Sequence, residues 1–447
     1  MTAHDRIQWL DGLRGIAAAI VALDHYFMSD VWHPFVSFWA DPPEANRHLV
    51  QLPPIRILFS AHSMVTLFMV ISGFAISVSL LKARHSPQFL PRVTSAIVRR
   101  LFRIYLPVLV LATLSQVLFF FDLYHWTFDD GFLDGLQPWT NPWAHIGWLC
   151  GYMADSINVI AFEYRGGLNG QLWTMPLEFR GSNVVYLLTV GLSAWRPKLR
   201  LWALPLLAGF FLWAGNWDIF GFIWGLWLAE RAINTTPVAI AMAADDHDDE
   251  EKLSRPSCTT TRCRIRSSLR ELFTLSRMIT LLTFVVGYYL LCLGSDGQLP
   301  PGYQFLATVQ PAKWKDRWEI YQWCWKSVGA ACLVYAIAQS PWLQRPLNTR
   351  LVQYLGKISF SLYLLHETIY QLWRNPLRDF VYLMASGNPY LTSAEALRDD
   401  PFAFHVAWWG SGIVLGGVVI LASHYYTLYV DNKCVSLAKR LERLFTS

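Results

Sequence analysis

The chain has 447 residues, 54 % of them hydrophobic and only 15 % charged, with a formal net charge of +5 at pH 7, whereas soluble globular domains carry about 25 % charged residues. That composition excludes an ordinary soluble enzyme, and because the basic residues fall between apolar runs they report membrane topology and exclude nucleic acid as a partner. The seven cysteines lie far apart and imply no disulfide framework, and Cys258 and Cys263, the closest pair, lack two further zinc ligands, so no metal is expected.

The first apolar stretch, WLDGLRGIAAAIVALDHYF at residues 9–27, carries Asp11, Arg14, Asp24 and His25 where a plain anchor would carry leucines. Only Arg6 precedes it as a cation and charges interrupt it, so it is expected to stay as a membrane helix and not to be cleaved as a signal peptide. Apolar runs place ten spans at 9–28, 56–81, 104–121, 173–193, 201–214, 219–231, 278–294, 322–339, 358–374 and 404–429. The longest are near the ~20 residues that a hydrocarbon core of ~30 Å requires. With a cytosolic N-terminus, segments 1–8, 82–103, 195–200, 231–277, 341–357 and the tail from 430 face inward. They hold about 25 of the 37 Lys and Arg residues, against about 7 in the outward segments, the asymmetry of a correctly oriented membrane protein. The expected fold is all-α: one domain over 1–447, a polytopic membrane bundle of about ten transmembrane helices with both termini cytosolic. The single sequon, Asn234-Thr235-Thr236, falls on the cytosolic side and is not expected to be glycosylated.

Between the spans, the outer loop 122–172 is rich in Trp, Pro and Gly, and its stretch PWAHIGWLCGYMADSINVIAF suits an interfacial or re-entrant element that covers a site. Residues 235–276 switch from an acidic to a basic block without aromatics and read as a disordered cytosolic connector. No internal repeat and no inverted pair of broken helices is present.

An ionisable group at the centre of a span costs about 2.5–3.5 kcal/mol, so each needs a partner or an aqueous cavity. Arg14 and His25 are eleven residues apart, three helical turns plus ~20°, and share a face with Asp11. A snorkelling arginine with a satisfied core histidine is the plain alternative. In TLFMVISGFAIS, Ser72 and Gly73 sit inside the second span, where small residues admit a backbone or a slender ligand. VRRLFRIYLP puts Arg99, Arg100 and Arg103 at the cytosolic entrance of the third; guanidinium groups one turn apart suit phosphate, and a positive-inside flank looks the same. Glu178 in NGQLWTMPLEFRGS lies about five residues inside the outer end of the fourth span, as a functional carboxylate or a partner for Arg180. Ser359, Tyr363 and His366 form one stripe of the ninth, a site or a polar packing seam.

The stretches LDGLRGIAAAIVALDH, LFMVISGF, RRLFR, LWTMPLEF and GKISFSLYLLH stand in the order and spacing of the acyltransferase 3 family, which the chain resembles over nearly its whole length. The matching residues are Arg14 with His25, Ser72-Gly73-Phe74, Arg100 with Arg103, and Trp173 with Glu178; LFMVISGF lacks the aromatic pair that often precedes the Ser-Gly element. The resemblance implies an integral membrane enzyme that moves acyl groups from acyl-CoA to hydroxyls, and the Glu-Phe-Arg-Gly-Ser continuation with the acidic insert looks like fungal members that decorate secondary metabolites. On the expected topology, acetyl-CoA rests its phosphates on Arg14, Arg100 and Arg103, with Ser72 and Gly73 beside it. Its arm follows about 16 Å of helix to His25. His25 is then the general base, since an imidazole with a reference pKa near ~6.5 is largely neutral at pH 7, and Asp24 or Glu178 orients it. Trp173, Tyr363 and His366 line the acceptor path. The partners expected are a small lipophilic hydroxyl acceptor, such as a terpenoid or polyketide, and the bilayer of the endoplasmic reticulum or another endomembrane. A cell-surface glycan or a lipid is the alternative acceptor, and a transporter or flippase the alternative class.

Overall fold

A computed structural model describes residues 7–28, 30–31, 35–129, 131, 133–160, 167–251, 259–294, 299–315 and 317–446. Among them there is no strand, in agreement with the all-α expectation. The long helices are α1 (Gln8–Phe27), α2 (Ala61–Ala83), α3 (Phe89–Phe120), α4 (Pro142–Ile157), α5 (Thr174–Gly191), α6 (Pro197–Trp213), α7 (Trp217–Glu251), α8 (Thr259–Leu291), α9 (Trp318–Gln339), α10 (Arg350–Ser386), α11 (Pro401–Tyr426) and α12 (Asn432–Thr446). Each of the ten segments expected to span falls on one of them. Three stretches are long and apolar enough to cross a bilayer among the described residues: Ala61–Ala83, Phe89–Phe120 and Pro401–Leu444, the last joining α11 to α12 through a π turn at Thr427–Asp431. The others are shorter or carry charges inward, as α1 does with Asp11, Arg14 and Asp24.

Several helices present apolar outward faces. Trp202 and Leu206 on α6, Met278 and Leu282 on α8, and Ile413 and Leu421 on α11 are all exposed. A soluble protein rarely exposes such continuous apolar surface; here it marks a membrane protein whose outer surface meets lipid.

Helix α2 is the axis of the bundle, packed against α1, α5, α7 and α9. It lies against α7 because glycines remove the side chains at the crossing: a Cβ on Gly73 would overlap the Phe222 backbone, and one on Gly225 would overlap that of Val70. The pair α1 and α10 uses the same device. Gly15 faces the Gly356 backbone and Gly356 faces the Asp11 carbonyl, while Arg14 meets Ser359 and His25 meets His366, so the two helices run parallel.

Two local expectations change. Arg99, Arg100 and Arg103 lie inside α3, which starts at Phe89 and not near 104. At 32 residues it is about 48 Å long, well beyond the ~30 Å core. The outer loop folds inward at its end: a turn at Gly170–Trp173 packs on the middle of α10, where the Gln171 side chain donates to the Leu364 carbonyl at 2.6 Å. Helices α7 and α8 reach into the expected connector 235–276 from both sides; residues 252–258, with Cys258, lie outside the described residues, as do 1–6 of the expected cytosolic N-terminus and 161–166 of the outer loop.

Candidate active site

The parallel helices α1 and α10 assemble one cluster. His25 donates its Nδ1–H to the Val21 carbonyl at 2.8 Å; a carbonyl only accepts, so Nε2 carries the lone pair. His366 repeats the arrangement, with Nδ1 at 3.2 Å from the Leu362 carbonyl, and its buried Nε2 has no hydrogen-bond partner among the described residues. The rings meet edge to face with centroids 5.0 Å apart. Next to them stands Glu367, and one ligand-type atom from each of His25, His366 and Glu367 falls within 4.8 Å of the other two. The turn that closes the outer loop holds Glu367 in place: its carboxylate accepts the Gln171 backbone N–H at 2.8 Å and the Gln371 side-chain amide at 3.3 Å. His366 is fully buried whereas His25 and Glu367 are half-buried, which leaves the cluster open on their side. An imidazole with a free lone pair, beside a carboxylate, can take a proton and have the resulting cation stabilised.

A second, basic cluster lies three turns down α1. Arg14 donates to Ser359 Oγ at 3.1 Å and pairs with Asp11 at 3.1 Å. Arg103 is exposed as a residue, while its guanidinium is crowded by its surroundings and makes no hydrogen bond among the described residues; the groups that act on it are Arg14, Arg100, Asp431 and Tyr186. Its fork is therefore available to an anionic ligand. Arg100 is engaged: it pairs with Glu178 and donates to Ser182 at 3.0 Å. Ser72 donates to the same Glu178 carboxylate at 2.7 Å, so α2, α3 and α5 are clamped together at the edge of this cluster.

These contacts redistribute the expected roles. Glu178 is held by Arg100 and Ser72, and the carboxylate assembled with His25 is Glu367. Asp24 is buried with its carboxylate accepting the Ala61 N–H at 2.9 Å, where it caps the first turn of α2. Arg180 pairs with Asp218 at 2.6 Å and not with Glu178. The open side of Gly73 is filled by the Phe222 backbone, which leaves it no face for a ligand. The Tyr363 hydroxyl donates to the Gln171 carbonyl at 2.7 Å and meets Thr174 at 2.8 Å, so it holds the turn at Gly170–Trp173. Trp173 joins an aromatic wall with Trp217 and Trp323, the latter two stacked with centroids 4.4 Å apart, and His62 lies 4.7 Å from Trp323. Glu367, Trp217, Trp323 and His62 were not singled out from sequence; the dipeptide His366-Glu367 on an apolar helix was the one available signal.

Residues 7–427 match the acyltransferase 3 family, an acyltransferase domain. The chain is 25 % identical to the O-acetyltransferase PaAT-1 of Phomopsis amygdali over 465 aligned positions, 96 % of this chain and 83 % of that protein. It is 22 % identical to Acyltransferase R4 of a Phoma species, over 97 % of this chain and 96 % of that one. No solved structure matches the chain.

Proposed function

The chain belongs to the acyltransferase 3 family, and from that premise we propose that it is a multi-pass membrane O-acetyltransferase with ten spans and cytosolic termini. It moves an acetyl group from acetyl-CoA to a hydroxyl of a small lipophilic acceptor, a terpenoid or polyketide of secondary metabolism, in the endoplasmic reticulum or another endomembrane. The observation that carries the reading is His25, its Nδ1–H given to the Val21 carbonyl and its Nε2 without a hydrogen bond among the described residues, on the same helix as, and eleven residues from, the arginine of a basic cluster. The O-acetyltransferase name of the Phomopsis amygdali relative supports the acetyl group, and the Trp173, Trp217 and Trp323 wall supports a flat apolar acceptor.

Arg14 and Arg103 take the phosphates of the donor, with Arg100 behind them, and the thioester end extends along α1 to His25. His25 Nε2 removes the proton of the acceptor hydroxyl as its oxygen attacks the thioester carbonyl. Glu367 stabilises the imidazolium by its charge from its position in the same cluster. The tetrahedral oxyanion then collapses, the C–S bond breaks, and the CoA thiolate takes the proton back from His25. Acetyl ester and free thiol leave, and the imidazole is neutral again.

A second reading of the acceptor draws on the outer loop. A cavity of about 690 Å³ there is lined by Asp134, Gln137, Thr140, Trp148, Tyr152 and Asp155, a mix of carboxylates, hydroxyls and stacked rings that suits a polyhydroxylated glycan or a lipid headgroup. The test is substitution of His25 by Ala in membranes holding equal amounts of protein. Acetylation of the acceptor, followed by mass spectrometry of metabolites that gain one acetyl unit, should vanish. Transfer at the parental rate would remove His25 as the base.

A further inference from the structure

We propose that His25, His366 and Glu367 form a binding site for a zinc-class divalent ion, which occupies the catalytic imidazole and shuts off transfer. The expectation that no metal binds came from scattered cysteines, and this ligand set contains none. Two imidazoles and one carboxylate with an open fourth position are a recurring set for zinc.

Three features of the geometry support it. The ligand atoms already lie within 4.8 Å of one another. Bonds of about 2.0–2.1 Å to a tetrahedral ion put them about 3.3 Å apart, so the ion would draw the three side chains together by about 1.5 Å at most. Next, each ring gives its Nδ1–H to a backbone carbonyl, His25 to Val21 and His366 to Leu362. That hydrogen bond is the outer-shell partner that metal-ligating histidines use to fix the tautomer and aim Nε2. Glu367 is likewise held by the Gln171 N–H and Gln371. Finally, His366 is fully buried and its Nε2 is without a partner among the described residues. A buried acceptor of that kind carries a desolvation cost that an ion, entering from the half-buried side of His25 and Glu367, would remove.

Binding of the ion stands on the cluster alone; the inhibition rests on the reading of His25 as the base, because the ion takes the lone pair that would accept the hydroxyl proton. The probe is Co²⁺ added to the purified full-length protein in detergent, read by the visible bands of a tetrahedral site, with Zn²⁺ as the competitor. The expected result is bands in the parent that Zn²⁺ displaces, and their loss in both His366→Ala and His366→Gln variants that elute and unfold as the parent does. Absence of bands in the parent, or bands unchanged in the folded variants, overturns the site. In the same preparation Zn²⁺ should lower acetyl transfer at least tenfold, and a chelator should restore it. Bands present with transfer insensitive to Zn²⁺ would overturn the blocking of a catalytic imidazole while leaving the ion site in place. Transfer retained by His25→Ala in the absence of any metal would overturn His25 as the base, and with it the blocking of a catalytic imidazole, while leaving the ion site in place.

Discussion

Glu367 changes the account of how His25 works. Its carboxylate belongs to the same cluster as His25 and His366, and two hydrogen bonds hold it there before any substrate arrives. Replacing it by Gln keeps the shape and removes the charge that stabilises the imidazolium. Acid–base contributions of this kind are worth about 10²-fold or more, so kcat for acetyl transfer should fall by at least about 10-fold with little change in the Michaelis constant for acetyl-CoA. Arg103 is expected to give the opposite split. Its guanidinium has no hydrogen bond among the described residues, so Arg103→Ala should raise that constant several-fold and leave kcat near the parental value; an unchanged constant would take the donor phosphates elsewhere. The spacing of Arg14 and His25 was legible because it is arithmetic within one helix. Glu367 was not, because adjacent residues on a helix point about 100° apart; only the turn at Gly170–Trp173, folded in from the distant outer loop, holds its carboxylate beside His25.

Among the elements, the parallel contact of α1 with α10 decides whether the site exists. The two backbones approach across Gly15 and Gly356, and that approach brings Ser359 to Arg14 and His366 to His25. A leucine at Gly356 has nowhere to place its Cβ without moving the Asp11 carbonyl, and overpacking costs typically ~1–3 kcal/mol. Gly356→Leu should therefore lower both the thermal midpoint in detergent and acetyl transfer, whereas the same exchange at Gly416 on α11, which has open space around it, should leave both near the parent. The helices themselves were legible as apolar runs. Their partners were not: Gly73 reads equally well as a ligand notch and as a packing notch, and only the position of Phe222 decides for packing. A charged clamp secures the end of α2 that lies beyond Phe74, on the side of the N-terminus of α1. Glu230 on α7 holds Arg84 at 2.8 Å and Arg200 at 2.7 Å, with all three buried. Removing one member of such a group leaves charge uncompensated and costs about 3–5 kcal/mol. Glu230→Ala should accordingly unfold at much lower temperature than Glu230→Asp, measured by loss of the monodisperse peak after heating.

Across the whole molecule, two clusters on α1 divide the chemistry by depth. Arg14 and His25 are separated by eleven residues of unbroken helix, about 16 Å along its axis, so in the proposed mechanism donor and acceptor approach the reacting atoms from different levels of the bilayer. A charged nucleotide cannot cross the hydrocarbon core, since a charge there costs several kcal/mol. The basic cluster must therefore open to the compartment that holds acetyl-CoA, and the reading of both termini as cytosolic becomes a requirement of the mechanism. Single cysteines test it, placed at Lys433 near the start of α12 or at Lys315 before α9, both exposed, in a background in which all seven native cysteines, Cys150, Cys258 and Cys263 among them, are replaced by Ala or Ser. In sealed microsomes, whose outer face is the cytosolic one, a membrane-impermeant maleimide should label the cysteine at 433 directly and that at 315 only after detergent is added. The reverse pattern would put Arg14 and Arg103 on the side without acetyl-CoA, and the division of labour along α1 would have to be abandoned whatever the effect of His25→Ala.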